Sequence, residues 1–243
     1  MIGTIVGGIC PGVEELFKEL NRSGLMLLNF NENIQDLSQM LESSLSNVRK
    51  EIIKIAQRES VQKILVIGND DALRLAYSFC SVGMNVAYVP SADSSITCRG
   101  LGIHTVLNYL MRMLVLTKEI HPQRLVTVLL PRSLGKVLER FGFLFNICTS
   151  ENSFSLKLPG VGDTCIVQLQ KILNCLTVEE QDKVCYLKVA RELVQVFTHE
   201  SKICHAFSCD VDPVPISKVY ELLKKVKVDE RQPSIRKVGD QEY

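Results

Sequence analysis

The 243-residue sequence lacks an excess of charge of either sign, since 28 lysine and arginine residues stand against 27 aspartate and glutamate residues. Bulk electrostatics therefore indicates neither nucleic acid nor an acidic membrane surface as a partner. No apolar run approaches the ~20 residues needed to span a bilayer, and residues 1–8 lack the basic segment of a signal peptide. We therefore expect a soluble protein that binds neither nucleic acid nor membranes.

The nine cysteines also lack the CxxC spacing that is typical of zinc and redox motifs. Their odd number and their spread from Cys10 to Cys209 favour reduced, mostly buried thiols. The histidines add no metal-ligand pattern. Reduced thiols are typical of the cytosol, so the sequence predicts a cytoplasmic location.

The sequence does contain a regular alternation of short apolar runs with segments of helical periodicity. In the first half, runs of strand length lie at 2–6, 25–28, 63–67, 86–89 and 125–130, and helical patterns lie at 11–22, 48–56, 73–82 and 102–118. In the second half, we predict helices at 133–141, 165–176, 191–197 and 216–226, and strands at 143–147, 184–189 and 203–207. Such alternation predicts an α/β protein with a mostly parallel sheet covered by helices, followed by a flexible polar tail at 229–243.

Two strand-to-helix loops carry residue types that suit a phosphate site. The loop GGICPG at 7–12 follows the first strand, and its glycines allow the backbone amides to approach a phosphate closely. In GNDD at 68–71, the carboxylates of Asp70 and Asp71 can hold Mg²⁺ beside a polyphosphate. Each loop also has a purely structural interpretation: the first is a glycine turn, and an aspartate of the second caps the helix that begins near Ala72.

Seven segments occur in the order of the motifs of the phosphofructokinase family, which the chain resembles over residues 1–226. They are IGTIVGGICPG at 2–12, GNDD at 68–71, PSADSS at 90–95, GIHTVLN at 102–108, HPQR at 121–124, VTVLLPRSLG at 126–135 and DPVPISK at 212–218. The family counterparts are GGDxPGxN with its preceding strand, GGDGS or GGDDT, P[GK]TIDND, GFDTA, SHxR, VxEVMGRxxG and the segment after QRGG. The resemblance implies the phosphofructokinase fold, with two domains that each contain a mostly parallel sheet covered by helices. It also implies a larger phosphoryl-donor domain, 1–101 plus 213–228, and a smaller sugar-phosphate domain, 102–212.

The resemblance also implies roles for individual residues. Asp93 matches the base that takes the proton from the sugar hydroxyl, and Asp70 matches the ligand of Mg²⁺. Arg132 matches a catalytic arginine on the transferred phosphoryl group, and Arg124 matches an arginine that binds the sugar phosphate, typically across a subunit interface. The residues that match the binding site of the phosphate donor are Gly7, Gly8, Cys10, Gly68 and Asp71. Asp71 is typical of members that use pyrophosphate, but the lysine that accompanies it there is Ser91 here, so the donor is either ATP or pyrophosphate.

Several family residues are replaced in this chain. Ile9 stands in place of the aspartate of the first loop. The loop at 90–95 is one residue shorter than P[GK]TIDND, so the second carboxylate of TIDND is either replaced by Ser95 or absent. Cys209 replaces an arginine on the sugar phosphate, which weakens the binding of a dianion. We therefore predict a divergent phosphofructokinase-like protein of a glycolytic lineage, with weak or no transfer of a phosphoryl group to fructose 6-phosphate.

Two alternatives remain open. One is an active 6-phosphofructokinase that uses Mg²⁺ with ATP or pyrophosphate, and the other is a non-catalytic regulatory subunit or partner-binding scaffold. Because the segment 102–118 is too apolar to be fully solvated, we expect a homo-oligomer or a complex with a related subunit.

Overall fold

The computed structural model describes residues 1–30, 45–97, 99–120, 125–131, 146–150, 153–157, 164–168, 170–209 and 211–231. Arg124, Arg132 and the predicted helix at 133–141 lie outside the described residues. The last helix continues to Arg231, so residues 229–231 of the predicted tail are helical. The rest of the tail lies outside the described residues.

The described residues form ten strands and seven helices. The strands are β1 (Ile2–Gly7), β2 (Leu27–Asn29), β3 (Lys63–Gly68), β4 (Asn85–Pro90), β5 (Leu125–Pro131), β6 (Asn146–Ser150), β7 (Ser153–Lys157), β8 (Thr164–Gln168), β9 (Cys204–Ser208) and β10 (Val211–Pro215). The helices are α1 (Val13–Arg22), α2 (Leu45–Arg58), α3 (Asp70–Ser81), α4 (Ile103–Ile120), α5 (Gln170–Leu173), α6 (Glu180–His199) and α7 (Ile216–Arg231). None of the helices within the described residues is long and apolar enough to cross a bilayer.

The larger sheet has six strands in the order β10-β9-β4-β3-β1-β2, and all its pairings are parallel except that of β9 with β10. Successive side chains of β3 point to opposite faces of the sheet. Ile64 and Val66 pack in the cluster that includes residues of α2, α3 and α7, whereas Leu65 and Ile67 pack in the cluster that includes residues of α1 and α6. The predicted α/β class, with a mostly parallel sheet covered by helices, is therefore confirmed.

The smaller sheet has four strands in the order β6-β7-β5-β8. Two of its pairings, β5 with β7 and β6 with β7, are antiparallel, and only β5 and β8 run parallel. The expectation of a mostly parallel sheet therefore holds for the larger sheet and is wrong for the smaller one. An apolar strand pattern gives the face of each residue but not the direction of its partner strand.

Two predicted elements of the second half are wrong. The predicted helix at 165–176 is instead strand β8 followed by the short helix α5, and the predicted strand at 184–189 lies inside α6. The buried residues of α6 recur every three or four positions: Asp182, Cys185, Tyr186, Val189, Ala190, Leu193 and Phe197. A short apolar run such as 184–189 does not distinguish a buried strand from part of a helix.

The predicted domain boundaries stay a prediction, but two elements of the predicted smaller domain pack with the larger sheet. Strand β9 pairs in parallel with β4, where Val86 aligns with Cys204, and α6 packs against α1. The segment 213–215, directly before the predicted helix at 216–226, lies in β10. Proline cannot donate a hydrogen bond to a neighbouring strand. Because β10 lies at the edge of the sheet, its prolines do not interrupt the hydrogen bonds of a central strand.

Cys185 of α6 and Cys209, directly after β9, lie next to each other with their Cα atoms 5.1 Å apart, a separation that a disulfide can span. The expectation of reduced cysteines stays a prediction, and the sequence did not indicate this pairing. The two residues are 24 positions apart, and only the packing of α6 beside the end of β9 brings them together.

Candidate functional site

Three loops meet at the carboxyl edge of the larger sheet. Strands β1, β3 and β4 are adjacent and in register, so that Gly7 aligns with Gly68 and Gly68 aligns with Pro90. The loops 7–12, 68–71 and 90–95 therefore begin side by side. In open parallel sheets, ligands bind at this edge, between the strand ends and the helix N-termini.

The carboxylate of Asp93 joins all three loops. Its Oδ1 accepts the backbone N–H of Ile9 at 2.7 Å and the hydroxyl of Ser91 at 2.5 Å, and its Oδ2 accepts the side-chain amide of Asn69 at 3.3 Å. Asp93 is only 2% exposed. The donors therefore hold the carboxylate inside the protein, at the position where the family resemblance implies a base that faces the sugar.

Gly8 is required where this cluster forms. The residue has a φ of 151°, and a Cβ atom added there would lie 2.5 Å from Ser91 Oγ and 2.8 Å from Asp93 Oδ1. Any larger side chain at this position would displace the carboxylate. The missing side chain of Gly8 thus leaves room for the side chains of Ser91 and Asp93.

Burial raises the pKa of Asp93 above its ordinary value of 3.8, although the hydrogen bonds from Ser91, Ile9 and Asn69 favour the charged form. A carboxyl whose pKa is raised by folding destabilises the folded protein as pH rises, because the unfolded chain releases its proton at lower pH. The contribution of Asp93 is therefore complete below pH 3.8 and declines as pH rises through the raised pKa.

We predict that the free energy of unfolding of the native protein, relative to that of Asp93→Asn, falls as pH rises from about 4 to about 7. Urea denaturation of both proteins across this range measures the difference. Glu14→Gln, which changes an exposed carboxylate of α1, is the control. A difference that grows with pH would contradict the prediction, because it would mean that Asp93 is a stabilised anion.

The loop 68–71 is built around Asn69, whose Oδ1 accepts the backbone N–H of Asp71 at 3.1 Å and caps α3. The interpretation of Asp70 or Asp71 as the cap is therefore wrong. Asp70 instead accepts both the hydroxyl and the backbone N–H of Ser95, the latter at 2.9 Å. Asp71 lies 3.6 Å from Arg74, and burial raises its pKa despite this cation.

These residues do not fit a preformed Mg²⁺ site. No group of three or more acidic, histidine or cysteine side chains that could hold a metal occurs among the described residues. Both carboxylate oxygens of Asp70 accept hydrogen bonds from Ser95, the residue that the family resemblance aligns with the second carboxylate of TIDND. A hydrogen-bond donor thus lies where the family resemblance implies a second ligand for a shared cation.

Two backbone amides of the loop 7–12 donate to side chains inside the protein. The N–H of Ile9 binds Asp93, and the N–H of Cys10 donates to Asn174 Oδ1 at 2.9 Å. The Sγ of Cys10 lies 3.6 Å from the hydroxyl of Tyr186, and burial raises the pKa of Cys10 to about 12. The two amides that follow Gly8 are therefore already paired.

Of the residues predicted for the donor and acceptor sites, six lie at this edge: Gly7, Gly8, Gly68, Asp70, Asp71 and Asp93. The side chain of Cys10 instead packs in the core beside Tyr186. Arg124 and Arg132 lie outside the described residues, so their predicted roles stay predictions.

A second buried carboxylate joins α4 to α6 and was not predicted. Asp182 of α6 accepts the N–H and the hydroxyl of Thr105, both at 2.6 Å, and the N–H of His104 at 3.3 Å. Thr105 Oγ1 in turn accepts the N–H of Glu179 at 3.0 Å. The two helices therefore cap each other.

The sequence could have revealed one of the residues that it missed. Asn69 was detectable as an Asx cap before two acidic residues, whereas Asp182 and Asn174 bind distant segments and give no local signal.

The fold is similar to that of solved phosphofructokinases. The phosphofructokinase of Pichia pastoris in the T-state matches 95% of this chain with a TM-score of 0.67 and 12% identity, and 38% of its own chain is covered. The phosphofructokinase of Saccharomyces cerevisiae matches 95% of this chain with a TM-score of 0.57 and 14% identity, and 46% of its chain is covered. This chain thus spans less than half the length of either. Neither a protein-family model nor a curated protein matches the sequence.

Proposed function

We propose that the chain is a divergent phosphofructokinase-like protein in which phosphoryl transfer is weak or absent. The observation that carries the proposal is the enclosure of Asp93 by Ile9, Ser91 and Asn69. A general base must come within hydrogen-bond reach of the proton that it removes. A carboxylate that is 2% exposed and receives three protein donors is poorly placed to meet a sugar hydroxyl. Since one fold can carry many functions, this site supports the proposal more directly than the fold does.

The donor loops support the same proposal. Phosphate binding at a glycine loop needs backbone N–H groups that point outward, and those of Ile9 and Cys10 have acceptors within the protein. Binding of Mg²⁺ beside a polyphosphate needs one or two available carboxylates. Asp70 is bonded to Ser95, and Asp71 is paired with Arg74. Binding of ATP or pyrophosphate at these groups therefore competes with their internal bonds.

We predict that neither Mg²⁺ with ATP nor Mg²⁺ with pyrophosphate raises the melting temperature beyond the effect of MgCl₂ alone. A ligand that binds only the folded protein adds about 2.7 kcal/mol of stability at about 100 times its Kd, which a thermal-shift assay detects readily. The proposal is contradicted by a shift that disappears in Asp70→Asn and persists in Glu51→Gln, a change at an exposed residue of α2.

A second candidate function is an active 6-phosphofructokinase that transfers a phosphoryl group to O1 of fructose 6-phosphate. One observation favours it: burial raises the pKa of Asp93, and raised carboxyl pKa values are common among general bases. In this alternative, Asp70 holds Mg²⁺, Arg132 contacts the transferred group and Arg124 binds the sugar phosphate. A turnover assay distinguishes the two candidates.

For a protein without catalytic activity, the role that we propose is that of a regulatory subunit or a scaffold for a related chain in the cytoplasm. Helix α4 supports this role because it exposes apolar side chains, including Leu116 at 56% and Ile120 at 68%. Such a surface favours assembly. Assembly into a homo-oligomer or with a related subunit stays a prediction.

A further inference from the structure

Cys185 and Cys209 lie together in the wall of a cavity of about 90 Å³, and one residue of its lining, Gly100, packs against Ser91 of the loop 90–95. The cavity is lined by both cysteines and by Arg99, Gly100, Ile103, His104, Gln181, Val184 and Lys188. The two cysteines differ in accessibility, because Cys185 is 9% exposed and Cys209 is half-buried. Of the two, Cys209 is therefore the residue that is more accessible from the solvent.

The mouth of the cavity is basic. Arg99, His104 and Lys188 are exposed and come from three different segments, and none of the described residues that line the cavity is acidic. The nearby carboxyl groups belong to Glu192 and Asp182. Burial raises the pKa of Glu192 and Lys188 lowers it, whereas Asp182 accepts a hydrogen bond from Thr105. Cations beside a thiol stabilise its thiolate and attract anions.

We propose that Cys185 and Cys209 form a reversible disulfide by exchange with an anionic, low-molecular-weight disulfide that binds at Arg99 and Lys188. The Cys209 thiolate attacks one sulfur of the small disulfide, whose S–S bond breaks, and the first small thiolate leaves and takes up a proton. The Cys185 thiolate then attacks Sγ of Cys209 in the mixed disulfide and releases the second small thiolate. Two protein thiols are oxidised, and one small disulfide is reduced to two thiols.

Two of the other described cysteines serve as internal controls. Cys175 is exposed but lies outside the cavity, so it tests whether accessibility alone directs the exchange. Cys10 is buried, and its raised pKa of about 12 keeps the thiol protonated and unreactive. Selective oxidation of the pair would therefore reflect the proximity of the two sulfurs and the basic mouth.

The test uses the reduced full-length protein and glutathione disulfide as the probe. Peptide mapping without reductant is expected to find a Cys185–Cys209 link, and Cys185→Ser is expected to retain glutathione on Cys209. Treatment of the folded protein with reduced glutathione is expected to open the link. The proposal is overturned if glutathione is found on Cys175 and no link forms, or if the link opens only after unfolding. The mapping of the unaltered protein keeps the test valid even if a variant does not fold.

The role of charge is tested with the double variant Arg99→Gln and Lys188→Gln. We expect its exchange with glutathione disulfide to be about 10-fold slower, whereas exchange with the neutral 2-hydroxyethyl disulfide keeps its rate. Lys183→Gln, which removes a cation of α6 outside the cavity, is expected to leave both rates unchanged. An equal loss with both disulfides would refute recognition of the anion.

Discussion

Purified protein supplied with fructose 6-phosphate, Mg²⁺ and either ATP or pyrophosphate is expected to turn over about 10⁴-fold or more below the ~1 to 100 per second of ordinary kinases. Ile9, Ser95 and Cys209 replace two carboxylates and one arginine that the family resemblance implies, and Asp93 is bonded internally. Loss of one preorganised charge-stabilising contact commonly costs about 2.7 to 4 kcal/mol. Even if these losses are far from additive, together they raise the activation free energy by more than roughly 5.4 kcal/mol, which corresponds to a 10⁴-fold lower rate.

A coupled assay of product formation with each donor measures this rate. Asp93→Ala is the matched variant, because it removes the only carboxylate in the position of the base while the loop 68–71 keeps its aspartates. If the protein turns over at an ordinary kinase rate and Asp93→Ala abolishes that rate, the second candidate function is correct. A trace rate that is equal in both proteins is the expected background.

Asp182→Ala is expected to lower the free energy of unfolding by about 3 kcal/mol, a large fraction of the stability of a typical domain. Asp182 is fully buried and accepts the N–H and hydroxyl of Thr105 and the N–H of His104. Truncation leaves these donors unpaired and opens space between α4 and α6. Denaturation by urea, followed by circular dichroism, measures the loss.

Two further variants separate the lost hydrogen bonds from other effects. Asp182→Asn keeps one acceptor oxygen and is expected to cost about 1 to 2 kcal/mol. Glu180→Ala removes an exposed acidic residue of the same helix turn and is expected to change stability by less than about 0.5 kcal/mol. A cost below about 1 kcal/mol for Asp182→Ala would mean that the helices do not depend on their mutual capping.

The candidate site was partly predictable because its components follow strands with strong patterns. The apolar runs at 63–67 and 86–89 fall within β3 and β4, and parallel strands end at the same edge. The positions of Gly8, Asp70 and Asp93 at that edge follow from this arrangement. The orientation of their polar groups did not follow, because Asp93 meets Ile9 across 84 positions of the chain, and Asp70 meets Ser95 across 25.

By itself, the sequence determined the α/β class, the strand-end loops and the order of motifs, because helical and strand periodicity and glycine turns are local properties of the chain. Only the tertiary structure decided that Ser95 binds Asp70, that Asn174 takes the amide of Cys10 and that Cys185 meets Cys209. It also decided that the residues 184–189 form part of a helix. The physical reason is that a buried polar group takes whichever partner packing brings within reach, and that partner can lie anywhere along the chain.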